Sequence, residues 1–186
     1  MLEVTIPAVE LYDSEKEEFF CPVKKPVTLR LEHSLVSLQK WESKWHKPFL
    51  GKEAKTREET LDYVRFMCTT PNIDPEIYQY IPPEEMKRIS DYIEDPMTAT
   101  WFSESKKQGG PPPKKEVITA EIVYYWMITL GIPSEYRKWH LNQLLTLIRV
   151  INAKNAPKKK RSKKETLADY SRLNAMRRAK YNKSKG

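Results

Sequence analysis

TAEIVYYWMITLGIPSEYRKWHLNQLLTLIRVI, residues 119 to 151, is the stretch that decides the fold. Ile122, Val123, Trp126 and Leu130 recur at the three-to-four spacing of a helix. Thr119 stands at the N-cap position, and Gly131 suits the left-handed residue that ends a helix. Pro133 and Ser134 then open a second helix. Its broad apolar face is made of Trp139, Leu141, Leu144, Leu145, Ile148 and Ile151. Two such helices joined by a short turn predict an αα-hairpin over 119–152 at the centre of the core. Trp126, Leu144 and Ile148 have the spacing of inward-pointing residues.

Upstream, helical periodicity recurs three times. Leu35, Leu38, Trp41 or Glu42, and Trp45 follow Ser34, a plausible N-cap, and Pro48 closes that helix. Thr56-Arg57-Glu58-Glu59 matches a capping box ahead of Leu61, Val64 and Cys68. Pro82-Pro83-Glu84-Glu85 starts a third helix, with Met86, Ile89 and Ile93 on its apolar side. The N-terminus has a different period. Leu2, Val4 and Ile6 alternate with polar residues, as do Val27, Leu29 and Leu31. Each run places one face on a core, so the two predict an antiparallel β-ribbon. The acidic DSEKEE loop and FFCPVKKP between them leave room for a small hairpin. The fold class is therefore mainly α with a small N-terminal antiparallel β-hairpin (α+β). It forms a single domain over 1–153, with an exposed Gly/Pro-rich loop at 103–116.

The charge is unevenly spread. The chain has 33 Lys and Arg against 25 Asp and Glu, a net of +8. Residues 154–186 hold 13 of those bases and only Glu165 and Asp169 among the acids, so the tail carries +11 and the rest −3. Like charges repel and resist packing, so this tail reads as an interaction arm or a solvated appendage. Leu167, Tyr170, Leu173 and Met176 nevertheless recur within it, which predicts a helix over 166–180 with Arg172, Arg177, Arg178 and Lys180 largely facing elsewhere. The run Lys158, Lys159, Lys160, Arg161, Lys163 and Lys164 could neutralise several phosphates. These ten bases are the candidate residues for binding nucleic acid or an acidic protein partner. Trp41, Lys44, Trp45 and Lys47 interleave aromatics with bases as single-strand platforms do, but their helical spacing also suits a core face.

Catalytic chemistry has no constellation here. His33, His46 and His140 form no metal-ligand spacing. Glu58-Glu59 and Glu84-Glu85 sit in first helical turns, where acids stabilise the helix dipole. No phosphate-cradling glycine motif or nucleophile elbow occurs. The expectation is a protein with no catalytic, metal or cofactor site. Cys21 and Cys68 lie far apart and read as reduced thiols of a cytosolic protein. The start of the chain lacks the pattern of a signal peptide, and the longest apolar run, 122–132, is about half of the roughly 20 residues a membrane span needs.

Several stretches together resemble a known family. They are LEHSLVSLQKWESKWHKPFL at 31–50, TREETLDYVRFM at 56–67, MTATWF at 97–102, and the region from Ile118 to Lys159. They are similar to small proteins encoded in the tail-gene clusters of tailed phages and prophages, the tail assembly chaperones. The similarity covers almost the whole chain, and YYWMITLGIPSEYRKWHLNQLLTLI at 124–148 is its most specific part. It implies a non-enzymatic virion-morphogenesis factor that coats the tape-measure protein and recruits tail-tube subunits. It also implies a home in the host bacterial cytoplasm, with the virion as the alternative, no membrane association, and room for an oligomer. The competing expectation is a nucleic-acid-binding phage protein acting through the basic tail. A third, more distant expectation is an inhibitor of a host defence system.

Overall fold

The computed structural model describes residues 1–102, 117–156 and 163–182. Strand β1 (Leu2–Ile6) pairs antiparallel with β4 (Val27–Leu31). Leu2 lies opposite Leu31, Val4 opposite Leu29 and Ile6 opposite Val27, so the alternating apolar residues share one face. Val4, Ile6, Leu29 and Leu31 are fully buried. Between these strands the chain makes a separate two-stranded sheet of β2 (Val9–Asp13) and β3 (Glu18–Val23). The acidic loop does carry its own hairpin.

Past β4 the chain enters α1 (Leu35–Trp45) through a reciprocal cap, in which the Ser34 and Ser37 side chains each accept the other's backbone N–H. His46, at φ 52, ends the helix in the left-handed region. Helix α2 (Arg57–Met67) has the Thr56/Glu59 capping box expected from its sequence. A 3-10 turn over Pro75–Tyr80 leads to α3 (Pro83–Glu94), which has proline in its first turn. Helix α4 (Ala120–Thr129) ends at Gly131, whose φ of 65° is accessible to glycine at little cost. A second 3-10 turn, Ser134–Lys138, precedes α5 (Leu141–Asn155). Helix α6 is Lys163–Asn182. Met1–Asn152 forms one compact unit and Ala153–Gly186 another, the boundary falling in the last turn of α5.

The first unit has one core. Trp41, Leu35 and Leu38 of α1, Tyr63, Val64 and Met67 of α2, and Ile89 of α3 join the inner face of the β1–β4 ribbon. Val123 and Met127 of α4 and Leu141, Leu144 and Ile148 of α5 complete it. Two sequence expectations change here. Trp126 is only half-buried, because α4 packs on α1 through Ala120, Val123 and Met127, one helical face that leaves Trp126 to the side. It lines an open groove of about 410 Å³ with Ile118, Leu145, Ile148, Arg149 and Asn152. Trp139 does not belong to the apolar face of α5. It caps the preceding 3-10 turn, stacks on Tyr136 with ring centroids 4.1 Å apart, and is exposed. The turn between α4 and α5 is thus longer than Gly131-Ile-Pro suggests. MTATWF forms no strand, and the 103–116 loop lies outside the described residues.

Leu144 is fully buried, so Leu144→Ala is expected to cost roughly 2 to 5 kcal/mol in denaturant unfolding. Trp126→Ala is expected to cost clearly less than Phe/Trp truncations in sealed cores, about 3 to 5 kcal/mol, because part of its ring already meets water. Equal losses at the two sites would show that the groove is closed in solution. A chain ending at residue 152 is expected to keep a cooperative thermal transition, since every core residue among those described precedes that point. Loss of that transition would place core-forming contacts in the tail.

Candidate functional site

The Trp41–Lys47 segment has the chemistry of a core wall. Trp41 is 1% exposed, and its Nε1–H donates to the Glu59 carbonyl at 2.8 Å. Lys44 pairs with the carboxylate of Asp62, which Arg65 also contacts at 3.0 Å. Lys47 reaches Glu59 at 2.7 Å. Burial pushes the Asp62 carboxyl up, and the Lys44 and Arg65 contacts outweigh it to hold the group below its usual range. Glu59 is likewise held low, first by Lys47 and then by the Thr56 N–H. A buried tryptophan offers no face for stacking a base, and the two lysines already face carboxylates. The single-strand platform suggested by sequence is therefore a packed seam between α1 and α2.

The paired acids are also structural. Glu59 closes the α2 capping box, and Glu85 binds Arg88 one turn later at 2.7 Å. Glu42 is a buried acid whose spacing places it on the inner side of α1 but gives it no role. Its two oxygens accept the N–H of Phe49 at 2.9 Å and of Ala120 at 2.7 Å. Burial still raises its carboxyl above the usual range. Thr119 makes no side-chain cap bond, so Glu42 supplies the acceptor at the start of α4.

Two histidines far apart in sequence meet in the core. The rings of His33 and His140 lie 5.0 Å apart, and both residues are buried. His33 Nδ1 contacts the Tyr63 hydroxyl at 2.5 Å. The Asn142 N–H donates to His140 Nδ1 at 3.3 Å, so His140 carries its proton on Nε2 and donates it to the Tyr92 carbonyl at 3.0 Å. Burial, then the neighbouring His140, lowers His33 to about 3. Burial lowers His140 too. These are neutral, enclosed groups spent on internal hydrogen bonds. His46 is exposed at the end of α1. Among the described residues, no group of three or more potential metal ligands comes together, and no helix is long and apolar enough to cross a membrane. Cys21 and Cys68 are free thiols.

The candidate binding residues lie in the second unit. Lys158, Lys159, Lys160 and Arg161 fall outside the described residues. Lys163, Lys164, Arg172, Arg177, Arg178 and Lys180 all lie on α6. Every side chain described on this helix is exposed, including Arg172, Arg177, Arg178, Leu167, Tyr170, Leu173 and Met176. The separation of apolar and basic faces is less clean than the sequence suggests. A strict spacing of three drifts by about 60° per step around a helix with 3.6 residues per turn, so the apolar row winds around α6. Arg177 falls within that arc and Arg178 at its rim.

A second exposed apolar surface is on the β2–β3 hairpin. Tyr12 and Phe19 are directly opposite, with ring centroids 4.9 Å apart, and Leu11 faces Phe20 on the other side of the sheet. All four are exposed. The sequence signal for it is present in LYD and EFF flanking an acidic turn. What the sequence does not show is that only the Val9–Val23 base of this sheet reaches the core.

No protein family, curated protein or solved structure matches this chain.

The histidine pair makes stability pH-dependent. His33 takes up a proton in the unfolded chain near its ordinary 6.5, but in the fold only near 3. Between those values the unfolded chain binds more protons, so stability falls as pH drops through the window, by at most about 1.4 kcal/mol per pH unit from this group. Urea midpoints measured from pH 7 to pH 4.5 are expected to fall, and to fall less steeply in His33→Gln. A parallel slope in that variant would assign the acid sensitivity elsewhere.

Proposed function

We propose that this protein is a non-enzymatic binding factor of the phage tail-assembly chaperone type. Its targets are phage structural proteins, the tape-measure and tail-tube proteins first, in the host bacterial cytoplasm. The observation that carries this reading is α6. It is a helix of 20 residues whose Leu167, Tyr170, Leu173 and Met176 are all exposed among basic side chains. Helices in water draw most of their stability from burying an apolar face. This helix gains that term when a partner covers it, as recognition helices do in a receiving groove. The resemblance of residues 31–159 to tail assembly chaperones gives the partner class. Buried, internally bonded carboxylates and histidines favour a binding role over catalysis.

The exposed arginines of α6 support a second reading, attachment to nucleic acid through residues 154–186. The two make different demands on the helix. Protein docking uses its apolar residues, whereas phosphate neutralisation uses its charge and weakens steeply with salt.

Coexpression with tape-measure and tail-tube proteins from the same tail-gene cluster tests the first reading. The complex is expected to co-purify at moderate salt. Leu173→Asp with Met176→Asp is expected to abolish it while leaving the melting transition of the body unchanged. Retention of the complex by that variant, or no complex with either protein, would sink the chaperone reading. Retardation of DNA or RNA at low salt, lost on reversing the charges of Lys158 to Lys164, would favour the second.

A further inference from the structure

The β2–β3 hairpin carries three unsatisfied features at once. Its apolar pairs, Tyr12–Phe19 and Leu11–Phe20, lie on opposite faces, and Phe19 is 70% exposed. Asp13 lies directly opposite Glu18, an arrangement of like charges that weakens a strand pair. The sheet has only two strands among the described residues, and a lone two-stranded hairpin is marginal in water. Only its base is held, through Val23 in the core and the partly buried Val9. From Val9 to Val23 the chain has five acids and one base, a net charge of −4.

A surface that is both anionic and apolar asks for a cationic, apolar complement. A second hairpin cannot supply it, because two segments of −4 repel. The rest of the chain before residue 154 is nearly neutral, with a net charge of +1. Among the described residues, α6 combines a net positive charge with a row of exposed apolar side chains. Lys163–Asn182 has six bases against two acids, +4, which matches the hairpin in magnitude and opposes it in sign. We infer that copies of this protein associate head to tail, with the α6 helix of one copy docking on the β2–β3 hairpin of the next. Such a contact joins two different surfaces, so it propagates into a ring or an open filament. It removes the apolar pairs from water and places cations beside Asp13 and Glu18. This inference does not rest on the identity of any phage partner, since the two surfaces belong to the same chain.

The purified chain alone tests it, by sedimentation velocity over a concentration series at low and high salt. The expected result is an average mass that rises above the 22.0 kDa of one chain with concentration and falls back with salt. Tyr12→Ser with Phe19→Ser, and separately Arg177→Glu with Arg178→Glu, are each expected to weaken association at least about tenfold in Kd. Circular dichroism is expected to be unchanged in both variants, because none of the four side chains belongs to the core. Mixing the two variants leaves one intact hairpin and one intact helix per pair, and a 1:1 dimer is expected to return. Three results overturn the inference: a monomer at every concentration, association that ignores salt, or a mixture no more associated than its components. Dimers of the helix variant alone would point instead to hairpin-to-hairpin pairing and overturn it equally.

Discussion

The short run from Arg30 to Ser34 holds the first unit together through its backbone. On one edge β4 pairs with β1 as far as Leu31. On the other, Thr69 N–H donates to the Arg30 carbonyl at 2.8 Å and Glu32 N–H to the Met67 carbonyl at 2.9 Å. One residue on, the His33 carbonyl accepts the Leu141 N–H at 2.7 Å. The N-terminal ribbon, the end of α2 and the start of α5 are thereby fixed to one stretch of chain. Extended backbone alternates its bonding directions, so one segment can serve neighbours on both edges. The same alternation buries Leu29 and Leu31 and leaves Thr28 and Arg30 outside.

Buried acids set the remaining geometry. Glu42 joins α1, the Phe49 turn and the first N–H of α4, across 78 residues of sequence. Asp62 and Glu59 anchor lysines across the α1–α2 seam. A buried carboxylate without partners is strongly unfavourable, so each of these groups restricts how its neighbours can pack. Polar chemistry that could be mistaken for a site is thus used to position helices. The chemistry left at the surface is of another kind: an anionic, aromatic hairpin in one unit and a cationic helix with an apolar row in the other. That division suits a protein that works by contact.

Much of the local structure was legible in the sequence. Alternation at 2–6 and 27–31 specified both strands and their inner faces, because side chains on a strand have a period of two. Ser34, Thr56 and Pro83 marked helix starts correctly because capping is decided within four residues. Trp126 and Trp139 depart from what their spacing predicts for a common reason. Periodicity reports which residues share a face, but not which face a neighbouring helix covers or where a helix begins after a proline. On α6, the winding of the apolar row follows from its spacing of three, yet the exposure of every described side chain does not.

The sequence by itself determined the elements, the polarity of the tail and the mainly α class with an N-terminal β-ribbon, since these depend on interactions within a few residues or on composition. Only the tertiary structure decided that His33 meets His140, that Glu42 starts α4, and that Trp41 is sealed while Phe19 stands in water. Those outcomes depend on pairing between segments separated by tens of residues. No local pattern encodes such pairings, because burial and charge neutralisation are settled by what packs against a side chain.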